Sequence, residues 1–348
     1  FPNVKAAEEA SYEEYKANLR RTTENFLITD DHLGEGGPKA KFQANITAIK
    51  LLKYLEETTG QATPEQQKIL SRYVGWGGLA DAFDPEKPAW AAEYAQLKEL
   101  LTRSEYAAAR GSTLNAHYTS PTVIKAIYEA VGRMGFETGN ILEPSCGVGN
   151  FFGMLPEKMR NSRLYGVELD SISGRIAKQL YPKADITVAG FETTDRRDFY
   201  DLAVGNVPFG QYQVRDKAYD KLNFNIHNYF FAKALDQVRP GGVVAFVTSR
   251  YTMDAKDSTV RRYLAQRAEL LGAIRLPNDA FKKNAGAEVV SDIIFLQKRD
   301  RPLDIVPEWT QTGQTQDGFA INRYFLDHPE MVLGRQEPES TAHGMDYT

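Results

Sequence analysis

The stretch 140-NILEPSCGVGNFF-152 decides the fold. "NILEP" is a short apolar run of strand length. The proline and two glycines behind it end that strand in a turn. An apolar segment with helical spacing, "FFGMLPEKM", follows. The same order then repeats along the chain. "RLYGVELD" leads to "SISGRIAKQLY", and "ADITVAG" precedes "DFYDLAVGN". Helix "NYFFAKALDQV", turn "RPGG" and strand "VVAFVTS" come next. Helix "VRRYLAQRAELL" leads to "GAIRLP", and "SDIIFLQK" closes the series. Strand–helix alternation predicts parallel pairing with helices on both faces, a doubly wound α/β sheet.

On the N-terminal side the texture is helical. "YEEYKANLRRTTENFL" and "QANITAIKLLKYLEETTG" carry apolar residues at helical spacing. In "TPEQQKILSRYV", Thr63 is a predicted N-cap, Pro64 the first helical residue and Gln66 the return partner of a capping box. "LGEGGPKAKF" and "YVGWGGLADAF" read as glycine-rich loops, with Trp76 as a packing anchor. The organisation predicted is a helical region over 1–115, the sheet domain over 116–300 and a polar extension over 301–348.

Composition narrows the class. The chain has 348 residues, 42% hydrophobic and 25% charged, the balance of a soluble globular protein. No apolar run approaches the roughly 20 residues that span a bilayer. The start, "FPNVKAAEEASYEEYK", is polar and acidic rather than a secretory signal, and it lacks an initiator Met, as a segment of a longer polypeptide would. The single cysteine, Cys146, excludes an internal disulfide and a cysteine-rich metal site, and no metal is expected. A cytoplasmic setting fits. The net charge of −4 carries no basic footprint. Arg261-Arg262, Lys282-Lys283 and "QKRDR" at 297–301 read as solvated surface.

In open parallel sheets, ligands bind beyond the carboxyl ends of the strands. The residues there are distinctive. Gly147 and Gly149 in "EPSCGVGN" let the backbone turn tightly beside a ligand. Glu168, about 20 residues beyond that loop, is placed to accept both hydroxyls of a ribose. The glycines do not complete the G-x-G-x-x-G pattern, since Phe152 stands where the third would be. Glu143 at the loop's start also suits an ammonium or sulfonium better than a pyrophosphate. These features point to S-adenosylmethionine.

"NVPF", 206–209, stands at the exit of the fourth strand. A ring-conjugated amine such as adenine N6 has a delocalised lone pair and is a poor nucleophile. Two acceptors aimed at its N–H bonds would localise that pair. The Asn206 side chain and the Val207 carbonyl can supply them. Pro208 holds the preceding residue extended. Phe209 offers a face for the base. Phe281 in "LPNDAF" is a candidate second wall.

The ordered set "HYTSP" (117–121), "EPSCGVGNF" (143–151), "GVELD" (166–170), "AGFE" (189–192) and "NVPF" resembles the N6-adenine DNA methyltransferases. With the binding motif ahead of the catalytic one and a "YT-P" element first, it resembles their gamma-type subclass. The resemblance covers about residues 115–298. It implies a Rossmann-like S-adenosylmethionine-dependent methyltransferase sheet. It also implies methyl transfer to the N6 of a flipped-out adenine in DNA, RNA being the less fitting acceptor. Tyr118 and Thr119 match the element near the methionine end of the cofactor. Glu143, Ser145, Gly147 and Gly149 match the cofactor loop, Glu168 the ribose acid and Phe191 the aromatic beside the cofactor adenine. Asn206, Val207, Pro208 and Phe209 match the catalytic tetrapeptide, with Asn206 bordering the cofactor as well. A wider likeness takes in "KAKFQANITAIKLLKYLEE", "SRYVGWGGLADAFDP", "HNYFFAKALDQVRPGGVVAFVTSRYTMD" and "AIRLPNDAF". It looks like the methyltransferase segment of large helicase–methyltransferase polypeptides of phages and conjugative elements. That likeness implies modification or anti-restriction for a mobile element, with a helicase or recognition region elsewhere in the same polypeptide.

Two positions depart from the family. Val207 replaces the usual first proline. Gly190 stands where an acid is common, and Glu192 is the alternative contact for the cofactor's adenine amine. A C5-cytosine enzyme is excluded, because it needs a cysteine after the fourth strand. N4-cytosine enzymes usually carry Ser or Asp in place of Asn206. Two other readings stay open: a protein glutamine N5-methyltransferase, and a non-catalytic nucleic-acid-binding module that keeps the fold.

Overall fold

The computed structural model describes residues 2–114, 118–281, 290–341 and 344–348. His117 of "HYTSP", the pair Lys282-Lys283 and the boundary expected at 115/116 lie outside the described residues.

The chain opens with helices α1 (Pro2–Thr22), α2 (Pro38–Glu57), α3 (Pro64–Leu70), α4 (Ala91–Leu100) and α5 (Arg103–Ser112). The capping box at α3 forms as the sequence predicts: the Thr63 side chain accepts from the Gln66 N–H, and the Gln66 side chain accepts from the Thr63 N–H. "PKAKF" is helical rather than loop, because Pro38 takes the first-turn position where its missing N–H is no loss. Next come α6 (Pro121–Arg133), β1 (Asn140–Glu143), the single turn α7 (Asn150–Gly153), β2 (Arg163–Glu168), α8 (Ser171–Leu180), β3 (Asp185–Val188) and β4 (Tyr200–Asn206). The series ends with α9 (Ile226–Gln237), β5 (Val238–Ser249), α10 (Tyr251–Asp254), α11 (Thr259–Arg267), β6 (Ala268–Arg275) and β7 (Ser291–Lys298).

The seven strands form one sheet in the order β3-β2-β1-β4-β5-β7-β6. The first five pair in parallel, as the alternation predicts. β7 inserts between β5 and β6 and runs antiparallel to both. The all-parallel expectation fails there for a topological reason. No helical pattern separates "GAIRLP" from "SDIIFLQK", and parallel neighbours need a crossover that is usually a helix. The helix expected over "FFGMLPEKM" is only the turn α7, because Pro156 interrupts it.

The helical N-terminal region is fastened to α8. Gln67 Nε2 donates to the Gln179 carbonyl at 3.0 Å, and the Gln179 side chain accepts from the Ala62 N–H at 2.8 Å. Arg175 pairs with Glu56 and with Glu105.

Residues beyond 300, expected from sequence as a polar extension, pack on the sheet domain. Trp309, Ile321, Phe325 and Tyr347 are buried in the sheet's second core layer or against it. Asn322 Nδ2 donates to the carbonyls of Met253 and Trp309 at 2.7 and 2.8 Å. Tyr347 joins a buried ionic cluster. Arg275 makes a two-pronged pair with Asp292, 2.8 Å on each side, and reaches Asp254 at 2.7 Å. It also donates to the Tyr347 hydroxyl at 2.6 Å, and that hydroxyl bonds Asp254. The sequence hid this docking because a few large apolar residues in short strands and coil show no period.

Among the described residues, no helix is long and apolar enough to cross a membrane. No cluster of three or more His, Cys, Asp and Glu side chains among them is placed to hold a metal ion.

Candidate active site

The exits of β1, β2 and β4 converge with the "YTSP" turn on one cleft of about 230 Å³. Its walls include nine residues expected from sequence: Tyr118, Thr119, Glu143, Ser145, Gly147, Glu168, Asn206, Val207 and Pro208.

The loop after β1 is shaped by its glycines. Gly147 and Gly149 adopt φ of +56° and +88°. A Cβ on Gly149 would fall 2.6 Å from the Tyr181 ring, so both backbone and space require glycine there. The Gly147 N–H donates to Glu168 Oε1 at 3.2 Å, tying the loop to the end of β2. Tyr118 is covered by the "LGEGG" loop: at Gly34, φ +83°, any Cβ would collide with the Tyr118 ring.

Three carboxyl-bearing residues line the cleft, Glu143, Glu168 and Asp170, and the first two stand at strand ends. Glu143 is 2% exposed, and its Oε2 has no hydrogen-bond partner. Burial, and secondarily the nearby Glu168, pushes its pKa well above the carboxylate range. Burial also pushes Glu168 up, to about 7, with Asp170 adding repulsion. A cationic, ribose-bearing cofactor suits this pair: a positive group would satisfy the orphaned Glu143 oxygen, and ionised Glu168 can accept two hydroxyl bonds. The affinity should therefore depend on pH. Protonated Glu168 loses acceptor capacity, so S-adenosylmethionine should bind more tightly as pH rises from about 6 to about 8. Glu168→Ala should weaken binding at least tenfold, by loss of bonds to a charged acceptor worth about 1.5–3 kcal/mol each. Calorimetric titration across pH checks both. A flat wild-type profile would remove the assigned role.

At the exit of β4, Asn206 Nδ2 donates to Thr119 Oγ1 at 3.0 Å. Its Oδ1 is a buried acceptor without a partner. Thr119 thus orients the amide, and the oxygen keeps its capacity to accept a hydrogen bond. The Val207 N–H donates to the Val247 carbonyl at 3.2 Å, extending the β4–β5 ladder one residue. A proline at 207 could not make this bond. The valine therefore exchanges ring rigidity for a hydrogen bond, and its carbonyl stays fixed between that bond and Pro208.

Other expected residues lie elsewhere. Phe209 is half-buried at the cleft's margin and does not line it. Phe191 is buried against Phe230, with ring centroids 4.9 Å apart, and Glu192 is exposed; neither lines the cleft. Glu192 does fold back over Gly190, its carboxylate occupying the space a side chain at 190 would fill. Phe281 is fully buried in the core and forms no wall of this cleft. A lone Phe after a strand carries the same signal whether it packs inward or stacks a base.

Two contributions go beyond the residues expected singly: the glycine-rich loops of the helical region were expected only in general terms, as a cover for the cofactor site or a hold on DNA. Tyr73, Val74, Gly75 and Trp76 form a wall of the cleft, although Trp76 also packs edge-on against Phe42, Tyr73 and Phe83 as expected of an anchor. The paired glycines in "VGWGG" were the available signal. The other is His227, to which the Gly210 N–H donates at 3.4 Å. Burial lowers His227 to about 4, so it is neutral and accepts through Nδ1, holding the backbone behind Phe209.

Sheet order, glycine loop and paired carboxyls together define a Rossmann-like, S-adenosylmethionine-dependent methyltransferase. Residues 98–306 match the family described as N-6 DNA Methylase, and the chain belongs to that family. It is similar to Defense against restriction protein B of Escherichia phage P1, 28% identical over 272 residues, covering 76% of this chain and 10% of that protein. It is also similar to Type II methyltransferase M.CvrRI of Paramecium bursaria Chlorella virus XZ-6E, 37% identical over 92 residues, covering 26% of this chain and 24% of that one. The aligned stretches thus span a tenth and about a quarter of these relatives. Similar solved structures include a Listeria monocytogenes protein provisionally assigned as a class I S-adenosylmethionine-dependent methyltransferase, with 17% identity, TM-score 0.47, and coverage of 78% of this chain and 90% of that one. Another is the N-methyltransferase NodS from Bradyrhizobium japonicum WM9 with S-adenosyl-L-homocysteine, at 13% identity, TM-score 0.37 and coverage of 51% and 86%.

Proposed function

We propose that this chain methylates the N6 amino group of adenine in DNA. The observation that carries the reading is the buried, unpartnered Asn206 Oδ1, oriented by Thr119 at the mouth of the cofactor cleft. Bound S-adenosylmethionine supplies an electrophilic methyl group. Glu168 and the Gly147–Gly149 loop hold the ribose end, and Glu143 faces the positive charge. Asn206 Oδ1 and the Val207 carbonyl accept the two N6 hydrogens and localise the lone pair. No general base is needed before transfer, since the proton leaves N6 for water afterwards. The adenine must leave the duplex to arrive there, and stacking on Phe209 offsets part of the unstacking cost of a few kcal/mol.

The likeness to a phage defence-against-restriction protein over 76% of the chain supports a role in modification or anti-restriction for a mobile element. A helicase or recognition region of a longer polypeptide would then provide site selection. The organisation we infer is a helical region that helps hold the cofactor, the sheet domain, and a C-terminal segment docked on it. The test is transfer of labelled methyl groups to adenine-containing DNA, with N6-methyladenine identified in the digest. Label in protein glutamine instead would establish the N5-methyltransferase reading. Absence of cofactor binding would leave a nucleic-acid-binding module.

A further inference from the structure

Asn45 lies at the centre of α2 and is fully buried. Its side chain makes no bond within its own helix. Nδ2 donates to the Gly75 carbonyl at 2.6 Å, and Oδ1 accepts from the Val74 N–H at 2.9 Å. One amide thus clamps two adjoining residues of the chain. Tyr73, Val74 and Gly75 belong to no helix or strand, so no ladder holds them. Gly75 sits at φ +77°, with open space where a Cβ would be. Tyr73 packs beside Asp170 and Ser173, which places the segment at the Glu168 end of the cleft.

A buried asparagine with both polar ends used costs desolvation that a leucine would not. Its geometry suits the one task of fixing an irregular wall. We propose that Asn45 is a positioning residue for S-adenosylmethionine, and that Tyr73–Trp76, held by it, is a cofactor-binding wall supplied by the helical N-terminal region. The inference rests on the cofactor and not on adenine as acceptor, so failure of DNA methylation leaves it standing.

The experiment measures Kd for S-adenosylmethionine by calorimetry in Asn45→Ala and in Leu52→Ala. Leu52 is a fully buried core residue of the same helix that does not reach the cleft. Losing the preorganised wall should raise Kd about tenfold in Asn45→Ala, with Leu52→Ala unchanged. In turnover, KM for the cofactor should rise while kcat at saturation holds. Equal affinity in all three proteins, or equal weakening in both variants, overturns the proposal. Hydrogen exchange on the unaltered protein decides the matter if Asn45→Ala does not fold. Adding S-adenosylmethionine should slow exchange across 73–76, and no change there also overturns the proposal.

Discussion

Asn206→Ala will lower kcat for the proposed methyl transfer to adenine-containing DNA by about 10²–10³-fold, the usual cost of deleting one preorganised group that acts in the transition state. Cofactor binding will change only a few-fold. The two effects separate because the side chain's two ends face different tasks. Nδ2 is spent on Thr119, while Oδ1 is held in place with nothing to bind. A buried acceptor left empty costs about 1–3 kcal/mol of desolvation, which is tolerated when a substrate later fills it. Alanine removes the acceptor and leaves the Val207 carbonyl alone, and one acceptor cannot draw both hydrogens out of the ring plane. Single-turnover rates with excess enzyme isolate this step. Equal single-turnover rates in variant and wild type would refute the acceptor role, and a parallel loss of cofactor binding would assign Asn206 to cofactor holding instead.

Arg275→Met will destabilise the fold by about 3–5 kcal/mol, the range for breaking a buried ion pair from one side. Arg275 is 2% exposed and neutralises Asp292 and Asp254, both buried. Methionine keeps much of the volume but strands two carboxylates in a poor solvent. Burial already pushes Asp292 up from the usual range despite the guanidinium beside it. In the variant Asp292 will take up a proton more readily. Folding then favours its protonated form, so the loss is largest at neutral pH and shrinks as pH falls into the carboxylate range. Urea midpoints at two pH values measure this. A loss under about 1 kcal/mol, or one that grows in acid, would contradict the assignment.

The parallel half of the sheet was legible because buried strands are continuous apolar runs, and turns with Gly, Pro and Asn separate them. Most of the cleft was legible for a related reason. Residues next to a strand's end stay near it, so Glu143, Glu168 and Asn206 could be placed by local order alone. Contacts between distant segments were not legible. Nothing in "RYVGWGG" states that it meets the exit of β2, because the Asn45 clamp and the Gln67–Gln179 bonds exist only in three dimensions. Phe281 illustrates the limit of residue type: the same ring serves a core or a stacking face. Glu192 shows a subtler one, since a carboxylate two positions late can fill the place of a missing neighbour.

β7 is the last strand of the sheet to be synthesised, yet it lies inside the sheet. Assembly therefore cannot follow the order in which the ribosome delivers the chain. When β6 has emerged, it has no strand beside it, and β5 presents an unpaired edge of apolar residues such as Val243, Val244, Ala245 and Phe246. Only with residues 291–298 do both find a partner at once. Until then, the nascent polypeptide carries an open template for pairing with other chains. A translational pause just before the β7 residues are added would prolong that exposure, whereas rapid passage would shorten it.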